Sequence, residues 1–172
     1  MGVTRTSYPA VPMHPNEELI EKFYTAFKSS DARAMNDCYA PDIEFSDPVF
    51  PGLKGNRAMA MWAMLGERKA NPDDRWFENV KADDTRGSAH WEAKYKFPLN
   101  GRPVHNKIDA QFEFKDGKIT RHTDTFDFWK WSRMALGPLG IFMGWNPLFQ
   151  SMMQKKLRQR LDDFIAEHPE YQ

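Results

Sequence analysis

Hydrophobic positions recur along this chain with two different periods. From Asn16 onward, Leu19, Ile20, Phe23, Ala26 and Phe27 fall three or four residues apart, which lays one apolar stripe along a helix. Asn16 suits the cap position, and Glu17 and Glu18 suit the positive end of the helix dipole. Ser29, Ser30 and Asp31 interrupt the stripe. Asp31 can cap a short second helix running through Tyr39, with Met35, Cys38 and Tyr39 inward. After the turn Ala40-Pro41-Asp42, residues 43–47 alternate and predict a short strand, ended by Pro48, Pro51 and Gly52. Residues 56–68 are rich in Ala and Met and predict a third helix, with Met61, Trp62 and Leu65 buried.

The period then changes to two. Strands are predicted over about 75–82, 88–97, 104–114 and 118–127, with Asn100-Gly101 and Asp116-Gly117 as hairpin turns. Trp91, Ala93, Tyr95 and Phe97 alternate with His90, Glu92, Lys94 and Lys96, the pattern of an antiparallel sheet wetted on one side. Gly137-Pro138 should stop a helix, and residues 148–167 predict a last amphipathic one. Helices followed by a run of antiparallel strands make an α+β fold. The expected organisation is an irregular arm over 1–15, a domain over 16–128, and a helical C-terminal extension over 129–172 that acts as a lid or dimer contact.

Composition narrows the function. The chain has 172 residues, enough for one domain with a real core. Its 24 basic and 24 acidic side chains cancel, which argues against a nucleic-acid partner, because such binders rely on basic surface. Cys38 is the single cysteine and can form no internal disulfide. The arm lacks the long apolar core of a secretory signal, so a cytoplasmic location is expected. Residues 134–154 carry no charge, but Gly137, Pro138, Gly140, Gly144 and Pro147 interrupt them, so membrane contact is not expected. Six Trp, thirteen Phe, five Tyr and ten Met form an unusual aromatic and thioether load, which implies heavy packing or a small hydrophobic ligand.

Polar residues on the inward register are the candidates for chemistry. The register of Val104, Ile108, Phe112 and Phe114 also holds Asn106 and Ala110, and that of Phe126 holds Thr120, His122 and Asp124. Ile43, Phe45 and Asp47 share a face. A carboxylate on an apolar face is costly unless paired or placed in a functional cleft. His122, two residues from Asp124 on one strand face, has its ring near that carboxylate, an arrangement that can hold an acid or base. Asp47, His122 and Asp124 are therefore the candidate catalytic residues. Phe23, Trp62, Trp91, Tyr95, Asn106 and Phe126 are the candidate ligand walls. The same three polar residues could offer a metal an N/O set, but His105 points away and no second histidine is inward, so neither metal nor cofactor is expected. Each polar residue also has a structural reading, Asp47 as a turn cap before Pro48 and His122–Asp124 as a satisfied buried pair.

The segments YAPDIEFSDPVFPGLKG and FEFKDGKITRHTDTFDFW, in this order and spacing, resemble the NTF2-like superfamily, and within it SnoaL-like and ketosteroid-isomerase-like proteins. The resemblance spans roughly residues 16–128. It implies a cone-shaped fold, a curved antiparallel sheet wrapped around the N-terminal helices with a deep apolar cavity, and often a homodimer. Ketosteroid isomerases carry their general base in a Glu-Asp-Pro-Val stretch, and Ser46-Asp47-Pro48-Val49 matches it. Their helix-borne oxyanion tyrosine corresponds to Phe23 and their second donor to Ala110, so two of three positions depart from that pattern. Polyketide-cyclase relatives place an acid/base carboxylate on the last strand, similar to Asp124. Limonene-epoxide-hydrolase relatives need an Asp-Arg-Asp relay, and Arg102 and Arg121 lie off the inward register. The resemblance implies an isomerase or cyclase using carboxylate–histidine chemistry on a carbonyl compound. The alternative is a non-catalytic module binding a ligand or a protein.

Overall fold

The computed structural model describes residues 12–67 and 71–172. The elements run α1 (Pro15–Lys28), α2 (Ala32–Asn36), β1 (Tyr39–Ser46), β2 (Leu53–Lys54), α3 (Asn56–Gly66), β3 (Arg75–Ala82), β4 (Arg86–Lys96), β5 (Pro103–Lys115), β6 (Lys118–Thr125), α4 (Phe128–Leu136), α5 (Pro138–Met143) and α6 (Pro147–Glu167). Most of the expected arm, residues 1–11, and Arg68 at the end of the third expected helix lie outside the described residues. The six strands form one curved, unclosed sheet in the order β2-β1-β6-β5-β4-β3, the α+β, NTF2-like architecture expected from the sequence.

Local chemistry explains the elements and several departures from the sequence pattern. The cap of α1 is His14, not Asn16: its Nδ1 accepts from Asn16 N at 3.1 Å, and Pro15 occupies the first turn, where no N–H is needed. Asn16 instead is buried and donates from Nδ2 to the Asp83 carbonyl, which ties the start of α1 to the β3–β4 turn. The apolar stripe of α1 buries Ile20, Phe23, Tyr24, Ala26 and Phe27 against the sheet. The second helix ends at Asn36, and Tyr39 opens β1 instead, sharing the buried side with Ile43 and Phe45. Leu65 is exposed at the end of α3 while Met64 is buried in its place.

Asp116 and Gly117 both take positive φ in the tight β5–β6 turn, as a two-residue hairpin requires. Just beyond it a bulge shifts the register between Glu113↔Arg121 and Phe114↔Ile119. The bulge turns Ile119 inward although His122 and Asp124 are inward too, which is why neither face of β6 reads cleanly in the sequence. In β4, Glu92 is buried although it belongs to the charged side: His90, His105 and Lys107 crowd its carboxylate and hold it down to about 2.

The extension completes the core. Phe128, Trp131, Ser132 and Ala135 of α4 are buried, and Phe149, Met153, Leu157, Leu161 and Phe164 form the buried stripe of α6 against α3. Between them α5 packs so tightly on α4 that a Cβ on Gly140 would stand 2.0 Å from the Ser132 carbonyl oxygen. Gly140→Ala must therefore push α5 off α4. We expect it to lower unfolding stability by about 1–3 kcal/mol in urea titrations; an unchanged midpoint would show that this contact is not the joint of the extension.

Candidate functional site

The sheet register brings the candidate residues to one place. β1 runs parallel to β6, pairing Phe45 with His122 and Ser46 with Thr123, so Asp47, one residue beyond the pairing, arrives level with Asp124. β5 lies on the other side of β6, with Phe112 opposite His122 and Ala110 opposite Asp124.

His122 and Asp124 form a buried chain of hydrogen bonds. The Trp62 indole donates to Tyr39 Oη at 2.8 Å, Tyr39 Oη meets His122 Nδ1 at 2.7 Å, His122 Nε2 meets Asp124 Oδ1 at 2.9 Å, and the Trp91 indole donates to the same oxygen at 3.2 Å. An indole N–H can only donate, so both ends of the chain are donors. Between them Tyr39 Oη and Asp124 Oδ1 engage the two ring nitrogens of His122. Phe23, Phe45, Trp62 and Phe112 enclose the His122 ring, whose exposure is 0 %. Both nitrogens of His122 are thus engaged inside the protein, so it orients Asp124 and offers no free donor to a ligand.

Asp47 has a different environment. It is half-buried, and its Oδ1 accepts the backbone N–H of Val49 at 2.6 Å and of Phe50 at 2.5 Å. The turn-cap reading of Asp47 is therefore correct as far as Oδ1 goes, and Oδ2 takes no hydrogen bond from the described residues. Burial pushes the carboxyl from 3.8 up to about 7; the two backbone bonds pull the other way, and the charge of Asp124 adds to the rise. The loop that carries Asp47 is clamped from outside by α6, where Gln150 and Gln154 each donate to the Pro48 carbonyl at 2.9 Å and Arg158 donates to that of Pro51 at 2.8 Å.

Tyr95 stands at the exposed edge of this group, 37 % accessible. Its hydroxyl accepts from the Trp131 indole at 2.9 Å, which leaves its own proton free to be donated. Burial of the hydroxyl pushes Tyr95 up to about 12, and the nearby Asp47 charge adds to the rise. Asn106 is buried opposite Ala93, and Phe126 is half-buried against Trp131. Phe23 and Trp62 pack on the His122 ring, and Trp91 packs on Trp62.

Sequence reasoning missed Tyr39, Trp131 and Tyr24. Tyr39 was detectable, because it shares a parity with Ile43 and Phe45. Tyr24 is buried with no hydrogen-bond partner for its hydroxyl among the described residues, and burial together with the charge of Asp124 pushes it well above the usual phenol range. Two surface depressions lie elsewhere. One of about 580 Å³ flanks the outer side of α1 at Glu18, Lys22, Thr25 and Ala34, and one of about 150 Å³ lies on the outer sheet face at Arg86, Gln111 and Arg121.

With this geometry in hand, comparison with known proteins gives a family. The model of the SnoaL-like domain matches residues 20–122. No curated protein sequence matches the chain. Among solved structures, a putative polyketide cyclase from Xanthomonas campestris pv. campestris is similar at 24 % identity, over 70 % of this chain and 96 % of its own, with TM-score 0.55. An NTF2-like protein of unknown function from Burkholderia pseudomallei matches at 17 %, over 72 % and 99 %, with TM-score 0.59. An epoxide hydrolase of the LEH-like type from M. tuberculosis matches at 18 %, over 78 % and 95 %, with TM-score 0.55. These likenesses establish the fold.

Two outcomes follow for stability. Tyr39→Phe leaves the Trp62 N–H and His122 Nδ1 unpaired in a buried site, at about 1–3 kcal/mol for each group. We expect a loss of about 2–4 kcal/mol by chemical denaturation, and a loss under 1 kcal/mol would contradict the chain of bonds. Asp47 makes stability depend on pH. Between about pH 4 and 7 the folded chain retains a proton there that the unfolded chain has released, so stability falls as pH rises through that window and levels off above it. Asp47→Asn keeps the Oδ1 acceptor and loses this dependence. Because solvent reaches the carboxyl, the variant should gain on the native chain by about 1–2 kcal/mol between pH 5 and 8. A difference that stays constant with pH would count against the raised Asp47.

Proposed function

The chain belongs to the SnoaL-like domain family, and from that premise we propose that it transfers protons on a small hydrophobic carbonyl compound, as an isomerase or cyclase. The observation that carries this reading is Asp47, a carboxyl pushed up to about 7 with one oxygen pinned by backbone N–H groups and the other open. A general base works best when its pKa lies near the working pH. Asp47 Oδ2 removes a proton from the carbon next to the carbonyl, and the electron pair moves onto the carbonyl oxygen. Tyr95, whose hydroxyl proton is uncommitted, donates to that developing oxyanion. Return of the proton at another carbon makes an isomerase; attack of the enolate on a second carbonyl of the same molecule makes a cyclase. Asp124 is positioned by His122 and Trp91 beside Asp47, and its charge helps keep Asp47 a competent base. The cyclase named among the similar structures is compatible with this class of chemistry.

A second reading has its own support. The interior around His122 is filled by Phe23, Trp62 and Phe112, and two surface depressions lie away from Asp47. These features suit a module that binds a ligand or protein without turnover.

Deuterium wash-in from heavy water into a panel of apolar ketones and 1,3-diketones, followed by NMR, separates the two. The enzyme reading expects wash-in with an inflection at about pH 7, reduced at least ~100-fold in Asp47→Asn while folding is retained. It also expects Tyr95→Phe to lower kcat more than it changes KM. No wash-in above background across the panel, with ligands still raising the melting temperature, favours the binding module.

A further inference from the structure

The C-terminal extension presents an apolar surface that the fold does not use. Ile141, Phe142, Trp145, Leu148 and Met152 are 47 %, 75 %, 71 %, 79 % and 55 % exposed. They follow one another along α5, the turn after it and the first turns of α6. Trp129, itself 40 % exposed on α4, donates from its indole to the Ile141 carbonyl at 3.3 Å, and α5 leads through Trp145 into α6. On α6, Leu148, Met152 and Lys155 repeat at helical spacing along the side opposite the buried stripe of Phe149, Met153 and Leu157. Together these side chains expose several hundred Å² of apolar surface, at or above the largest patch of an ordinary monomer.

Charge says what covers this face. The chain as a whole is neutral, yet residues 128–160 contain no Asp or Glu and hold Lys130, Arg133, Lys155, Lys156, Arg158 and Arg160. Arg158 is committed to the Pro51 carbonyl. Lys130, Arg133, Lys155 and Lys156 are exposed and pair with no carboxylate among the described residues. Arg133 lies over the Trp129 ring at 4.6 Å, which places a cation against an interfacial aromatic. A second copy docking through the same patch would bring like charges together, because an isologous contact doubles this one-signed set. A layer of anionic headgroups over an acyl interior matches both features: protruding Trp, Phe and Leu enter the interface, and lysines at the margin meet the headgroups. No helix among the described residues is long and apolar enough to cross a bilayer, so the contact lies on the surface.

We propose that α5 and the start of α6, with Phe142, Trp145 and Leu148 at the tip and Lys155 and Lys156 at the margin, dock this protein on an anionic lipid bilayer. This departs from the sequence expectation of no membrane contact, because composition alone does not tell which apolar residues point outward. The proposal is independent of the role of Asp47.

The test is co-sedimentation of the full chain with phosphatidylcholine vesicles, with and without phosphatidylserine, read together with tryptophan emission. Binding is expected on phosphatidylserine vesicles, with a blue shift, and should weaken as salt rises. Phe142→Asp with Trp145→Asp should reduce it at least ~10-fold. Lys155→Gln with Lys156→Gln should reduce it by about the same factor on anionic vesicles only. All four side chains are exposed, so melting temperatures should be unchanged. Absence of binding to phosphatidylserine vesicles at 50 mM salt, on the order of the low-salt range where such attraction is strongest, overturns the proposal. So does light scattering that shows a dimer converted to monomer by the aspartate pair, because the face would then join two copies of this chain.

Discussion

The structure depends on burying one histidine–aspartate pair inside a directed chain of hydrogen bonds. An isolated charge in an apolar interior costs several kcal/mol, and here the carboxylate of Asp124 lies in a shell of aromatic rings. The cost is met by direction. Two indoles, which can only donate, close the chain at either end, and Tyr39 and His122 pass hydrogen bonds between them. Four elements supply the members: α3 holds Trp62, β1 holds Tyr39, β4 holds Trp91, and β6 holds the pair. The helix and the three strands must therefore all be in place before the chain of bonds is complete.

The same register creates the contrast between two carboxyls. Asp124 sits within the sheet, supported by N–H donors from side chains. Asp47 sits one residue past the end of β1, held on one oxygen by the backbone of its own loop, with no hydrogen bond from the described residues on the other. Burial and the neighbouring charge push Asp47 up to about 7, whereas Asp124 receives two directed hydrogen bonds. The α6 helix contributes from outside the family-matched region, because Gln150 and Gln154 grip the loop at Pro48 and so limit how far Asp47 can move.

Much of this was legible in the sequence, and the rest was hidden for physical reasons. Alternation in the strands placed His122, Asp124, Asn106 and Trp91 inward, and the Ser-Asp-Pro-Val stretch singled out Asp47. The bulge before Arg121 was not legible, because one extra residue resets a period of two and no residue type announces it. Tyr39 was read as the end of a helix, since a short helix and a strand start look alike when apolar residues are sparse. The roles of Tyr95 and Trp131 depend on a hydrogen bond between residues 36 positions apart, which periodicity cannot reveal. For the extension, composition showed apolar residues without charge, but only the packing of α4, α5 and α6 separates the buried Phe149 from the exposed Phe142 and Trp145.

The central claim is that Asp47 is a carboxyl held near neutrality beside Asp124. Carboxyl-labelled aspartate observed by carbon NMR across the pH range, with Asp47 assigned through the Asp47→Asn variant, measures it directly. The account predicts a midpoint at about 7 for the resonance lost in that variant. A midpoint in the ordinary carboxylate range, near ~4, would remove the basis for proton transfer at this site.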